Sequence, residues 1–306
     1  MSAGMIEHTI VTWDCSFRNF FHLLPSLAQT DQGLSRLEVI FVEQRERKTA
    51  HEFAKREDCQ PIESVVEALA GRLRVRVIHM DDEGPYHPGR LLNAGIREAR
   101  GAIVSTMDAD ILVPPDFLAI LTAMHARGDR VITMPRCEAA FPCGTTVDDW
   151  KNQIIDYELV RNCAVNAYAP VPRVVTNKAP LLSAKAAHWE AIGGYDEHLI
   201  FGTAYTLFGR DISRRFELFL GAVETPLPKF CVHPWHPTEV DRKDERIQIL
   251  YKAQQMLIDW SVANDEPDVR ERQGHADAIH KANRRAIDEA IGLAERKQSE
   301  HIGGGP

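Results

Sequence analysis

The sequence predicts an α/β fold: a mainly parallel central sheet flanked by helices, followed by a helical C-terminal extension. Three observations predict it. Short β-branched apolar runs alternate with helical stretches through the first 135 residues, one of those runs ends in two closely spaced carboxylates, and beyond residue 241 apolar residues recur only at helical spacing. Strand–helix alternation implies crossover connections, which cover the faces of a parallel sheet.

The strand-like runs lie at residues 9–13, 37–43, 74–80, 102–107 and 130–135. Helical spacing is clearest at 90–100 and 114–127. The second of these opens on Pro114-Pro115-Asp116 and lines up Phe117, Ile120, Leu121 and Met124 on one face. Residues 137–178 are irregular, with a helix expected at 147–162 and a Pro-rich stretch at 169–173. Regular spacing resumes at 180–191, before the turn Gly193-Gly194-Tyr195-Asp196. Ile247, Leu250, Ala253, Leu257 and Trp260 then mark one helix. Ile279, Ala282, Ala286, Ala290 and Leu293 mark a single further helix over 276–297. We therefore expect one domain over residues 1–240, with a ligand-binding half at 1–135 and a second half at 136–240. Residues 241–306 would form a solvated extension packed on its outside.

Composition narrows the function. The 306 residues are 44% hydrophobic and carry a formal net charge of -8 without a basic block, which argues against nucleic acid or anionic lipid as the main partner. The six cysteines (Cys15, Cys59, Cys137, Cys143, Cys163 and Cys231) are scattered and form no CxxC pair, so reduced thiols and a cytoplasmic location are expected. The N-terminus has no basic stretch leading into an apolar run, and no 18-residue apolar segment occurs, so neither a signal peptide nor a membrane span is expected. Peripheral membrane contact is compatible with this.

The chemistry concentrates at Ile103-Val104-Ser105-Thr106-Met107-Asp108-Ala109-Asp110. Residues i and i+2 of an extended chain share a face, so the two carboxylates at this strand's end can converge on one hard cation and the diphosphate bound to it. Ligands of open parallel sheets sit beyond the carboxyl ends of the strands, where this pair lies. Just upstream, Arg90 offers a planar guanidinium for diphosphate oxygens. Asn93 lies on the same helix, either toward the donor or as a helix brace. Trp150 and Trp235 are candidate stacking platforms for sugar faces.

The segment Pro88-Gly89-Arg90-Leu91-Leu92-Asn93-Ala94-Gly95-Ile96, followed by the apolar strand and its DxD, resembles the metal-dependent family 2 glycosyltransferases of GT-A fold. It is most similar to β-1,4-galactosyltransferase and chondroitin-polymerase-type domains. The remaining pieces come in the family's order across about residues 6–240. Ile10-Val11-Thr12-Trp13-Asp14 resembles the first strand and nucleotide loop, and Val39–Gln44 the second strand, with Glu43 where the family often has Asp. Ile192-Gly193-Gly194-Tyr195-Asp196-Glu197 resembles the acceptor-side turn. Phe208-Gly209-Arg210-Asp211 resembles the segment carrying the catalytic base, and Cys231-Val232-His233-Pro234-Trp235-His236 the C-terminal histidine motif.

The resemblance implies an inverting transfer of a sugar from a nucleotide-diphosphate donor, UDP-linked in preference to GDP-linked, to the hydroxyl of a glycan or glycoconjugate. It implies Asp211 as the base. Asp110 and His236 would be metal ligands (His233 the alternative), with Mn²⁺ favoured over Mg²⁺. Thr12, Asp14, Glu43, Arg90, Asn93 and Asp108 would bind the nucleotide sugar. Residues 137–178 would order over the donor as a lid. Two rival enzymes fit less well. A nucleotidyltransferase would open with a Gly-rich basic loop where this chain has Thr12-Trp13-Asp14-Cys15-Ser16, and a dinucleotide oxidoreductase would need a GxGxxG that is missing. A non-catalytic sugar-nucleotide binder would look the same in sequence.

Overall fold

The structure is a computed structural model that describes residues 6–13, 23–44, 62–80, 85–128, 131–139, 174–175, 180–202, 207–221, 224–234, 244–265 and 268–303. Its strands are β1 (His8–Trp13), β2 (Leu37–Gln44), β3 (Val75–Met80), β4 (Ile103–Met107), β5 (Val131–Thr133), β6 (Arg136–Ala139), β7 (Val174–Val175), β8 (Leu181–Lys185), β9 (Glu224–Pro226) and β10 (Cys231–Pro234). The five strand runs expected in the first 135 residues are all present. The helices are α1 (Leu23–Ala28), α2 (Ile62–Ala68), α3 (Pro88–Arg97), α4 (Phe117–Ala126), α5 (Ala186–Ile192), α6 (Phe208–Leu220), α7 (Glu245–Ala263), α8 (Val269–Ala282) and α9 (Arg284–Gly303).

Seven strands form the main sheet in the order β3-β2-β1-β4-β8-β5-β9. The first four are parallel, with Val11 of β1 opposite both Ile40 of β2 and Thr106 of β4, and β8 runs antiparallel between β4 and β5. This is the α/β, mainly parallel sheet predicted above. Strand order reverses between β1 and β4: from β1 the chain moves outward to β2 and β3, then returns to β4 on the other side. That reversal opens a crevice at the carboxyl ends of β1 and β4.

Alternation of side chains supplies both faces of the sheet. Val39 and Phe41 of β2 join Ile10 and Met107 under α1, α2 and α4, through Leu23, Leu27, Ile62, Phe117 and Leu121. Ile40 and Val42 face the opposite layer, against Leu91 and Leu92 of α3, Trp189 of α5 and Phe216 of α6. Helix α3 lies close on this face because Gly95 has no side chain. A Cβ there would stand 2.3 Å from Val11 Cγ1 and 3.1 Å from Val42 Cγ2.

The extension departs from expectation in two ways. The single helix expected at 276–297 is two helices, broken at Asn283, whose backbone and side-chain N–H groups cap carbonyls at the end of α8. Nor does the extension only cover the outside. Leu250, Leu257, Ala276, Ile279, Ile287 and Ala290 enclose Ile200 and Phe201, and α8 sends a charged side chain inward. Among the described residues no helix is long and apolar enough to cross a membrane.

Candidate active site

The crevice is lined by the ends of three parallel strands. Thr12, next to last in β1, is fully buried, and its hydroxyl has no hydrogen-bond partner among the described residues. Glu43, near the end of β2, is also buried. Its Oε2 lies 3.2 Å from His79 Nδ1 on β3, while His79 Nε2 lies 3.3 Å from Glu63 Oε1 on α2. Asp108 follows β4 directly, half-buried, and Asp110 is buried in the turn beyond it.

Two contacts tie the β4 carboxylates to the second half of the chain. Leu112 and Val232 exchange backbone hydrogen bonds of 2.8 and 3.0 Å, so β10, the strand that leads to His236, runs beside the turn carrying Asp110. The Tyr195 hydroxyl lies 2.7 Å from Thr106 Oγ1, and burial, reinforced by the nearby Asp108 charge, holds its pKa far above the ordinary phenol value.

The glycine turn that carries Tyr195 is held by α3 and α6. Gly193 and Gly194 have φ of 69° and 73°, a region open to glycine and costly for other residues. Asn93 of α3 accepts a 2.8 Å hydrogen bond from the Tyr195 N–H and donates to Tyr195 O at 2.9 Å and to Glu197 Oε1 at 2.7 Å. The structure therefore places Asn93 as a brace for the turn, with its amide spent on it. Arg215 of α6 donates to the carbonyls of Ile192 and Gly194. At the start of α3, buried His87 accepts from Arg90 N–H through Nδ1, and its Nε2 lies 3.1 Å from His198 O. That arrangement needs a neutral, Nε2-protonated ring, consistent with a pKa lowered mainly by burial. Arg90 itself is partly exposed in the first turn of α3.

Asp211, in the first turn of α6, is buried rather than on a helix surface. Neither nearby arginine of its own helix pairs with it: Arg214 pairs with Glu217, and Arg215 holds the glycine turn. Its partner is Arg272 of α8, whose Nη2 donates to Asp211 Oδ1 at 2.6 Å. The same guanidinium donates from Nε to Asp196 Oδ2 at 2.7 Å and from Nη1 to Ser261 Oγ on α7. Burial pushes the Asp211 carboxyl above its usual range, aided by the Asp196 charge and opposed by Arg272 and Arg215. For Asp196, burial also pushes upward, but Arg272 and the His198 N–H outweigh it and the carboxyl titrates below its usual range.

Residues 26–163 match the family model described as Glycosyl transferase family 2. That segment is similar to this family, and the fold is of GT-A type. Solved structures agree on the fold. S. aureus TarS 1–349 in complex with UDP-GlcNAc superposes with a TM-score of 0.55 at 15% identity, over 97% of this chain and 83% of that one. TarS 1–349 alone gives 0.52 at 16% identity, over 90% and 69%. A further TarS structure gives 0.53 at 16%, over 90% of this chain and 42% of that one. No curated protein sequence matches the chain.

Thr12, Glu43, Arg90, Asn93, Asp108, Asp110 and Asp211 all fall among the described residues. Asp14, His236, Trp150, Trp235 and the helix expected at 147–162 lie outside them, as does most of 137–178 apart from β6 and β7. His233 is placed on β10 only by its backbone, opposite Glu138. Sequence reasoning missed Arg272 and Arg215. The signal for Arg272 was present in the pattern, since residues 272, 276 and 279 form the buried stripe of α8 and a lone arginine sits on it.

Proposed function

We propose that this protein transfers a sugar from a nucleotide-diphosphate donor, UDP-linked in preference to GDP-linked, to a hydroxyl of a glycan or glycoconjugate, with inversion. The observation that carries the reading is the placement of Asp108 and Asp110 at the carboxyl end of β4, beside the strand-order reversal of a GT-A sheet. The buried, unpartnered Thr12 hydroxyl at the neighbouring strand end fits a site that a ligand completes. The UDP-GlcNAc held by the TarS structure supports a UDP-sugar here.

In this reading Thr12, Asp14, Glu43 and Asp108 bind the nucleoside, and Arg90 grips the diphosphate with its planar fork. Asn93 contributes by holding the turn that brings Tyr195 under β4. The buried carboxylate of Asp110, next to the strand leading to His236, fits a divalent cation. Asp110 and His236 would hold it, and Mn²⁺ accepts such mixed carboxylate and imidazole ligands more readily than Mg²⁺ does. When bound, the cation supplies Lewis-acid neutralisation of charge on the diphosphate. Asp211 takes the proton of the acceptor hydroxyl as that oxygen bonds to the anomeric carbon. The bond from that carbon to the diphosphate breaks, and its electron pair leaves with the nucleoside diphosphate. Attack from the side opposite the leaving group inverts the centre.

A thermal-shift panel of UDP, GDP, UDP-GlcNAc, UDP-galactose, UDP-glucose and GDP-mannose, each with and without Mn²⁺, tests this. A native-state ligand at a hundred times its Kd adds about 2.7 kcal/mol of stability. The expected result is a Mn²⁺-dependent rise with UDP and one of its sugars. No shift with any nucleotide, with or without metal, overturns the reading. For the selected donor, product NMR showing net retention would discard the single displacement.

A further inference from the structure

We infer that Arg272, supplied by the C-terminal helices, is a positioning residue of the active site: it fixes Asp211 for the acceptor and locks Asp196 in the glycine turn with the same guanidinium. This rests on the reading of Asp211 as the base. Arg272 is 6% exposed, and its three donor contacts reach three separate elements, the turn after α5, helix α6 and helix α7. Two carboxylates of 10% and 3% side-chain exposure share it. Asp196 is anchored a second time, by its Oδ1 accepting from the His198 N–H at 2.8 Å.

Such a network is a poor choice if stability were the only demand, because well-packed apolar residues replace buried ion clusters at no loss or with a gain. Its geometric result is specific. With Oδ1 of Asp211 taken by Arg272 and no hydrogen bond to Oδ2 among the described residues, Oδ2 is the oxygen left for an acceptor proton. The planar fork sets the orientation of that carboxylate, which a single ammonium could not do while also holding Asp196. The charged groups facing Asp211 are Arg272 from α8, Arg215 from its own helix and Asp196 from the glycine turn. Removing one cation or one anion from this set should therefore move the titration of Asp211 in opposite directions.

The test uses the full chain, labelled with ¹³C-carboxyl aspartate, in the wild type and in Arg272→Lys, Arg272→Gln, Asp196→Asn and Asp211→Asn. The Asp211 signal is assigned by its loss in Asp211→Asn and followed against pH. The turnover of the donor chosen by the panel, with water as acceptor, is measured in parallel. Arg272→Gln is expected to move the Asp211 midpoint and the acid limb of kcat to higher pH, Arg272→Lys to restore most of that movement, and Asp196→Asn to move both to lower pH. Arg272→Lys should also lower kcat about ten- to a hundredfold through misplacement of Asp211, with KM for the donor within about twofold of wild type. Should Arg272→Gln fail to fold, Arg272→Lys and Asp196→Asn decide the matter through the kcat loss and the downward midpoint shift. Lower melting temperatures with unmoved midpoints and unchanged kcat would overturn the inference, leaving Arg272 a folding residue. Wild-type turnover in Asp211→Asn would instead overturn the base reading itself.

Discussion

Asn93→Ala separates bracing from nucleotide binding. The substitution removes an acceptor 2.8 Å from the Tyr195 N–H and a donor 2.9 Å from the Tyr195 carbonyl, on a residue only 4% exposed. Each backbone group left buried without a partner costs about 1–3 kcal/mol. Two such groups, with some relief from water entering the truncated space, give a loss of about 3 kcal/mol. The lost bond to Glu197 adds little, because that carboxylate also contacts Arg97 near the surface. Urea unfolding followed by circular dichroism measures the loss, and calorimetry of UDP with Mn²⁺ on the folded protein measures binding. The expected outcome is a lowered unfolding midpoint at nearly unchanged slope, with UDP affinity reduced less than tenfold. Unchanged stability together with a tenfold or greater loss of UDP affinity would refute the reasoning and return Asn93 to the donor.

Asp110→Asn should weaken Mn²⁺-assisted UDP binding at least tenfold, about 1.4 kcal/mol by calorimetry, while leaving metal-free binding of uridine unchanged. Arg90→Lys keeps the charge but loses the fork, so UDP affinity should fall more than uridine affinity in the same titrations, and equal losses would remove Arg90 from the diphosphate. His8, buried with Nε2 2.8 Å from Thr122 Oγ1, has its pKa lowered from 6.5 to about 4, by burial first and Arg36 second. The native state therefore binds fewer protons than the unfolded chain between these values. The stability that His8 contributes is complete above pH 6.5 and is lost as pH falls towards 4, an effect on the order of 3 kcal/mol. His8→Gln should flatten the urea-unfolding stability profile across that interval, and an unaltered profile would assign the acid sensitivity elsewhere.

Local pattern alone was enough for the strands and for the place of the carboxylate pair. The β-branched runs that end at Trp13, Gln44 and Met107 are short-range features, and a period of two records which residues face each layer, so β1, β2 and β4 were legible with the edge where Asp108 and Asp110 lie. Helix ends were less legible: the apolar stripe continues across Asn283, and the break there depends on capping by its own backbone and side chain. Partner choice was not legible at all. Sequence spacing offers Asp211 the arginines of its own helix, yet its ion pair is with Arg272, 61 positions away, because the packing of α7 and α8 over Ile200 and Phe201 carries that side chain inward. Asn93 likewise reads equally well as ligand or brace until Tyr195 of the glycine turn, 102 positions away, is seen against its amide. Periodicity encodes which face of an element is buried, whereas the group that meets a buried polar atom is decided by how distant elements pack, and only the tertiary structure holds that information.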